Sequence, residues 1–158
     1  MDILLFGKNG QVGWELQRAL APLGKLTIVD RQSADHCGDF ENPAGIAETV
    51  RKLCPAVIVN ATAYTAVDKA ESEQERARLV NATSIEALAQ AAEDIGAWLV
   101  HYSTDYVFDG SGEQPKHEED VTAPLNVYGQ TKLGGEQAIV RHMSRYLIFR
   151  TSWVYAAK

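Results

Sequence analysis

A chain of 158 residues is long enough for one domain with its own hydrophobic core. Its 46% hydrophobic and 23% charged residues are those of an ordinary globular protein, and a formal charge of −6 argues against a nucleic-acid partner, which would need a basic stripe. No stretch approaches the ~18 apolar residues of a membrane span, two cysteines are too few to staple the fold, and the four histidines lack metal-ligand spacing.

The chain passes from Met1 straight into a strand-like run, with no basic leader or cleavage site, so a cytoplasmic protein is expected. Asp2–Phe6 (DILLF) is that first predicted strand, and it ends at Gly7. From Gly10 to Ala21 the apolar residues Val12, Leu16, Ala19 and Leu20 recur at helical spacing, until Pro22 and Gly24 stop the helix. Residues 26–30 (LTIVD) form a second strand. A polar stretch through Asp39 then leads to a helix over Pro43–Leu53, with proline in its first turn. Cys54, before Pro55, is expected to be a small packed thiol. Residues 56–61 (AVIVNA), apolar and β-branched, suit a buried parallel strand. Residues 73–95, rich in Ala, Glu and Leu, predict one long helix closed by Gly96. Residues 97–103 are the next strand, and His101 within it is expected to be a satisfied core histidine. A loop over 109–126, a helix over 127–143 and a strand over 146–152 complete the chain. Strands that alternate with helices, most of them continuously apolar, predict one α/β domain: a doubly wound parallel sheet covered on both faces.

Between the first strand and the first helix lie Gly7, Gly10 and Gly13, spaced G-x-x-G-x-x-G. Glycines there permit a tight turn and close backbone approach, and the helix N-terminus offers free N–H groups to a pyrophosphate. The loop therefore predicts a dinucleotide site in a Rossmann-type sheet. Asp30 closes the second strand, where a carboxylate can accept hydrogen bonds from adenosine ribose hydroxyls, which favours NADH. Arg31 follows, able to stack on adenine or meet the 2′-phosphate of NADPH, so both cofactors stay open.

Reacting groups in such sheets gather at the carboxyl ends of the strands. Tyr128 and Lys132 are one helical turn apart and leave the same face. With a hydroxyl from Ser103 or Thr104, they can converge on one point. A phenol of pKa ~10 is a slow acid–base catalyst unaided, and a nearby ammonium would stabilise its phenolate. Such a trio suits hydride transfer between a nicotinamide and a carbinol or ketone.

These residues carry a resemblance. The glycine loop with Tyr128-x-x-x-Lys132 is similar to the extended short-chain dehydrogenase/reductase superfamily. The stretches GQVGWEL, YSTDYVFDG, YGQTKLGGE and FRTSWVY resemble its dTDP-sugar reductases more narrowly, along the whole chain. The resemblance implies NAD(P)H-dependent reduction of the C4 ketone of dTDP-4-dehydro-L-rhamnose to dTDP-L-rhamnose, for bacterial surface polysaccharides. It implies Tyr128 as proton donor, Lys132 on the nicotinamide ribose and lowering the tyrosine's pKa, and Thr104 as the third member. Gly10, Gln11 and Val12 would line the pyrophosphate, Asp30 the ribose, and Asp39 and Phe40 the adenine. Ala61, Ala63, Tyr64 and Thr65 would run along the cofactor; Asp105, Tyr106 and Trp153 would face the sugar nucleotide. It further implies a homodimer with Mg²⁺ held by acidic residues at the interface, Glu15 being the corresponding position. Members of the family are close to twice this length, so the expected domain over 1–158 lacks the lobe that closes over the sugar. Two other readings share the pattern: another nucleotide-sugar epimerase or dehydratase, and a non-catalytic cofactor-binding regulatory subunit. A dehydratase would want more acid beside its threonine than Asp105 alone, and the intact trio speaks against a regulatory role.

Overall fold

The computed structural model of the chain describes residues 1–155. Five parallel strands stand in the order β2-β1-β3-β4-β5: β1 (Asp2–Phe6), β2 (Lys25–Val29), β3 (Val57–Asn60), β4 (Trp98–Thr104) and β5 (Tyr146–Thr151). Helices connect them: α1 (Gln11–Leu20), α2 (Pro43–Leu53), α3 (Val67–Ala70), α4 (Gln74–Arg78), α5 (Ser84–Asp94) and α6 (Val127–His142). This is the predicted doubly wound sheet, and the expected strands lie within a residue or two of the observed ones.

The pleat of β1 shows how the layers form. Leu4 and Phe6 face a core with Ile46 and Val50 of α2, Leu88 of α5 and Ile139 of α6. Ile3 and Leu5 point the other way, onto Leu16 and Leu20 of α1. Alternate residues leave opposite faces of a strand, so β1 must be apolar throughout to satisfy both. Each such large side chain, fully buried, contributes roughly 1.5–3 kcal/mol.

The chain leaves β1 toward β2 on one side and then, through α2, toward β3 on the other. Ligands of open α/β sheets bind where the strand order reverses, outside the carboxyl ends. Phe6 is in register with both Val29 and Asn60, so Gly7, Asp30 and Ala61 emerge side by side there.

Three expectations need correction. The long helix over 73–95 is not uniform: α4 and α5 are separated by a π-helical turn at Leu79–Thr83, and the single turn α3 precedes them. The cause is Asn81, buried in that turn. It accepts from the Tyr64 N–H (2.8 Å) and donates to the Tyr64 carbonyl (3.1 Å) and to Thr131 Oγ1 (3.2 Å). Cys54 is not packed but exposed, in left-handed conformation (φ 45°) at the end of α2. His101 is fully buried, but only its Nδ1 has a partner, Asn60 Nδ2 at 3.1 Å; its Nε2 has none.

Candidate active site

Gly7 has φ +93°, a conformation that L side chains rarely adopt. A Cβ on Gly13 would lie 1.7 Å from the Gly7 carbonyl oxygen, so only glycine lets α1 sit this close to the loop. Gly10 is the N-cap of α1. No side chain caps the helix and no acid occupies its first turn, so the N–H groups of Gln11 and Val12 remain uncapped by side chains.

A cavity of about 430 Å³ opens at the carboxyl ends of β1, β2 and β3. The expected Gly7, Gly10, Asp30, Arg31, Asp39 and Phe40 line one part of it. Ala61, Ala63, Tyr64 and Thr65 line the part beyond β3. Gln11, Val12 and Gly13 stand in α1 behind the loop and do not line it. Asn9, Glu41, Thr62 and Arg76 are wall residues that the sequence did not reveal. Arg76 is 35 positions from its partner Glu41, so no local pattern marks the pair.

Asp30 is buried, and its carboxylate is fully engaged within the chain. Oδ1 accepts from the Gln32 N–H and the Ser33 hydroxyl, each at 3.0 Å. Oδ2 accepts from Asn9 Nδ2 (2.9 Å) and pairs with Lys8 Nζ (3.2 Å). Burial pulls its pKa up, but the bonds from Lys8, Ser33 and Gln32 outweigh this and hold it below 3.8. Arg31 pairs with Asp39 (3.4 Å) and Glu41 (3.0 Å), and Arg76 grips the same Glu41 carboxylate at 2.7 Å.

The expected trio lies farther along the same carboxyl edge of the sheet, beside the end of β4. Asn126 caps α6 by accepting from the Gly129 N–H at 2.7 Å, which starts the helix one residue before Tyr128. A Cβ on Gly129 would lie 2.3 Å from the Tyr106 carbonyl oxygen, so glycine lets this turn press against the segment that follows β4. There the Tyr128 phenol comes near enough to Thr104 for that hydroxyl to oppose the rise in its pKa. Its ring also meets Tyr106 edge-on, with centroids 5.7 Å apart. Thr104 Oγ1 in turn lies 3.2 Å from Asp105 Oδ1 and accepts from the Tyr106 N–H. Ser103 is committed elsewhere: its hydroxyl donates to Glu136, which Arg150 holds from β5 at 2.7 Å. The geometry thus separates the two hydroxyls and brings Thr104 to the phenol.

Lys132 is buried on the same helix, and its Nζ donates to the Tyr102 carbonyl at 2.7 Å. Burial pushes its pKa down to about 8, against an upward pull from Glu136. The Tyr128 phenol is raised above 10 by burial, with Thr104 opposing and Asp105 and Tyr106 adding to the rise. Burial thus favours the protonated phenol. Asp105 and Tyr106 also wall a second cavity of about 260 Å³, with Phe108 and Asn126. Trp153 stands exposed beyond β5 and lines neither cavity. Glu15 lies on the exposed side of α1, paired with Arg18. Among the described residues no three His, Cys, Asp or Glu side chains, Glu15 included, are grouped to hold a metal.

Comparison with known proteins supplies a context for this geometry. The RmlD substrate binding domain family matches residues 1–158. The dTDP-4-dehydrorhamnose reductase of Escherichia coli strain K12 is 67% identical over all 158 residues, which cover 53% of its length. The crystal structure of a dTDP-4-dehydrorhamnose reductase from Clostridium acetobutylicum superposes with a TM-score of 0.92 at 38% identity, covering 100% of this chain and 55% of that one. That of the Bacillus anthracis dTDP-4-dehydrorhamnose reductase in complex with NADP gives 0.89 at 36% identity, covering 98% of this chain and 54% of that one. The chain therefore spans about half the length of the curated relatives it matches.

Proposed function

The chain belongs to the RmlD substrate binding domain family, and we propose that it supplies the cofactor site and proton-transfer trio for NAD(P)H-dependent reduction of dTDP-4-dehydro-L-rhamnose to dTDP-L-rhamnose. The observation that carries this reading is the approach of Thr104 to the Tyr128 phenol at the end of β4, one helical turn from buried Lys132. A nicotinamide cofactor, when bound, supplies the hydride that reaches the C4 carbon of the sugar. The fit rests on the glycine cradle that a Cβ would fill, the α1 terminus uncapped by side chains, and the cavity at the strand ends.

In this mechanism Thr104 donates to the C4 oxygen and holds it against Tyr128. As that oxygen gains negative charge, the Tyr128 O–H proton moves onto it and leaves a carbinol and a phenolate. A raised phenol pKa keeps the proton in place at neutral pH until then. Lys132, buried beside the reaction, is the cation available to balance the phenolate that remains. Asp105, Tyr106 and Trp153 are assigned to the sugar nucleotide, and Gln11 and Val12 to the pyrophosphate.

A homodimer in the cytoplasm, serving lipopolysaccharide and O-antigen precursor supply, belongs to the same proposal; Glu15 could hold Mg²⁺ only with carboxylates from outside the described residues, and no step uses it. No helix among the described residues is long and apolar enough to cross a membrane. The test is incubation with dTDP-4-dehydro-L-rhamnose and NADH or NADPH, with identification of the sugar product. The longest natural protein that contains this chain is expected to form dTDP-L-rhamnose. The 158-residue chain is expected to bind cofactor yet reduce the sugar slowly or not at all. Equal rates from both would refute the second expectation, and any other sugar product would refute the first.

A further inference from the structure

The charges around the adenosine end of the large cavity carry one inference more, which rests on the cofactor reading above. A carboxylate that closes the second strand ordinarily selects a free ribose 2′-hydroxyl by accepting hydrogen bonds from it. Asp30 has little left to accept with. A carboxylate offers about four lone-pair sites, and here Gln32, Ser33, Asn9 and Lys8 take both oxygens. Lys8 also offsets its charge at 3.2 Å. The discriminating charge must come from another wall residue.

Glu41 is in that position. It lines the same cavity as Asp30, Arg31 and Arg76. One of its oxygens, Oε1, pairs with Arg31 at 3.0 Å and accepts from Arg76 at 2.7 and 3.0 Å. The two guanidinium groups reach it from different elements, the end of β2 and helix α4, and meet on this one carboxylate. Guanidinium pairs are strong phosphate receptors, and an anion between them both occupies their donors and repels a second anion. The three side chains remain 59%, 30% and 43% exposed, for Arg31, Glu41 and Arg76. Pairs this exposed are worth only about 0–1 kcal/mol, so a bound phosphate can compete for them.

We propose that Glu41, and not Asp30, sets the preference between a ribose with a free 2′-hydroxyl and one bearing a 2′-phosphate, by occupying Arg31 and Arg76. Glu41→Gln keeps the shape and removes the charge that both guanidinium groups share, leaving Arg31 with Asp39 and Arg76 with Glu73 as weaker, longer pairs that a phosphate can displace.

The experiment compares dissociation constants of adenosine 5′-monophosphate and adenosine 2′,5′-bisphosphate, for the chain and for the longest natural protein that contains it. Glu41→Gln should tighten the bisphosphate by about tenfold and leave the monophosphate within about twofold. Adding Arg31→Ala to Glu41→Gln should remove most of that gain. An unchanged ratio in Glu41→Gln, with both nucleotides still bound, would overturn the proposal and leave the cofactor site standing. Failure of the unaltered proteins to bind either nucleotide would overturn the cofactor reading, and this inference with it.

Discussion

Tyr128 and Lys132 could be recognised as a pair from their spacing, but their protonation states could not, because these depend on burial. The structure places Lys132 out of water with a pKa of about 8, and holds Tyr128 above 10. Both groups are therefore protonated below pH 8 in the free protein. Lys132 is the first to lose its proton as pH rises, and the cation opposite the phenolate goes with it. The pH profile of kcat/KM reports groups of the free enzyme. For ketone reduction by the longest natural protein containing this chain, it should be flat near neutrality and fall with an apparent pKa near 8. A profile flat to pH 10 would contradict the role given to Lys132. Spacing alone likewise left Ser103 and Thr104 both open, and only the resemblance pointed to Thr104. Both end the same strand, and only the partner of Ser103, Glu136 on α6, shows that this hydroxyl is spent on structure.

At the scale of elements, hydrophobic period and glycine punctuation were enough to place every strand and the helices α1, α2 and α6, because each buries a regular stripe or an unbroken apolar run. They failed over 73–95 for a definite reason. An Ala- and Leu-rich pattern continues through the π turn, and nothing in it distinguishes an i→i+5 turn from an α-helix. The turn exists because Asn81 closes three hydrogen bonds across chain separations of 17 and 50 residues. Those bonds tie the cavity loop at Tyr64 to the α6 helix at Thr131, one residue before Lys132. Asn81→Ala would leave the Tyr64 N–H and carbonyl without these partners, at a cost of ~1–3 kcal/mol. Urea unfolding should report that loss, together with weaker cofactor binding because the loop is no longer held. Unchanged stability and affinity would show that the clamp does nothing.

At the scale of the whole molecule, the sheet is unevenly clothed. The face that carries Leu4 and Phe6 is covered by α2, α5 and α6, whereas α1 covers only part of the opposite face. On the less covered side, Leu147 and Phe149 of edge strand β5 are about half exposed, next to Tyr102, whose ring lies 5.8 Å from that of Phe149. An apolar strand at a sheet edge is a template for association. The 158-residue chain should self-associate with rising concentration, and Leu147→Lys with Phe149→Lys should suppress this in light scattering; equal scattering would contradict it. Proton delivery by Tyr128 in a nicotinamide-dependent reduction is tested by Tyr128→Phe. The measurement is steady-state NADPH oxidation with dTDP-4-dehydro-L-rhamnose by the longest natural protein containing this chain, alongside the NADPH dissociation constant. A loss of ~10²–10⁴ in kcat with cofactor affinity nearly unchanged is expected. A Tyr128→Phe protein that turns over as fast as the unaltered one would contradict it.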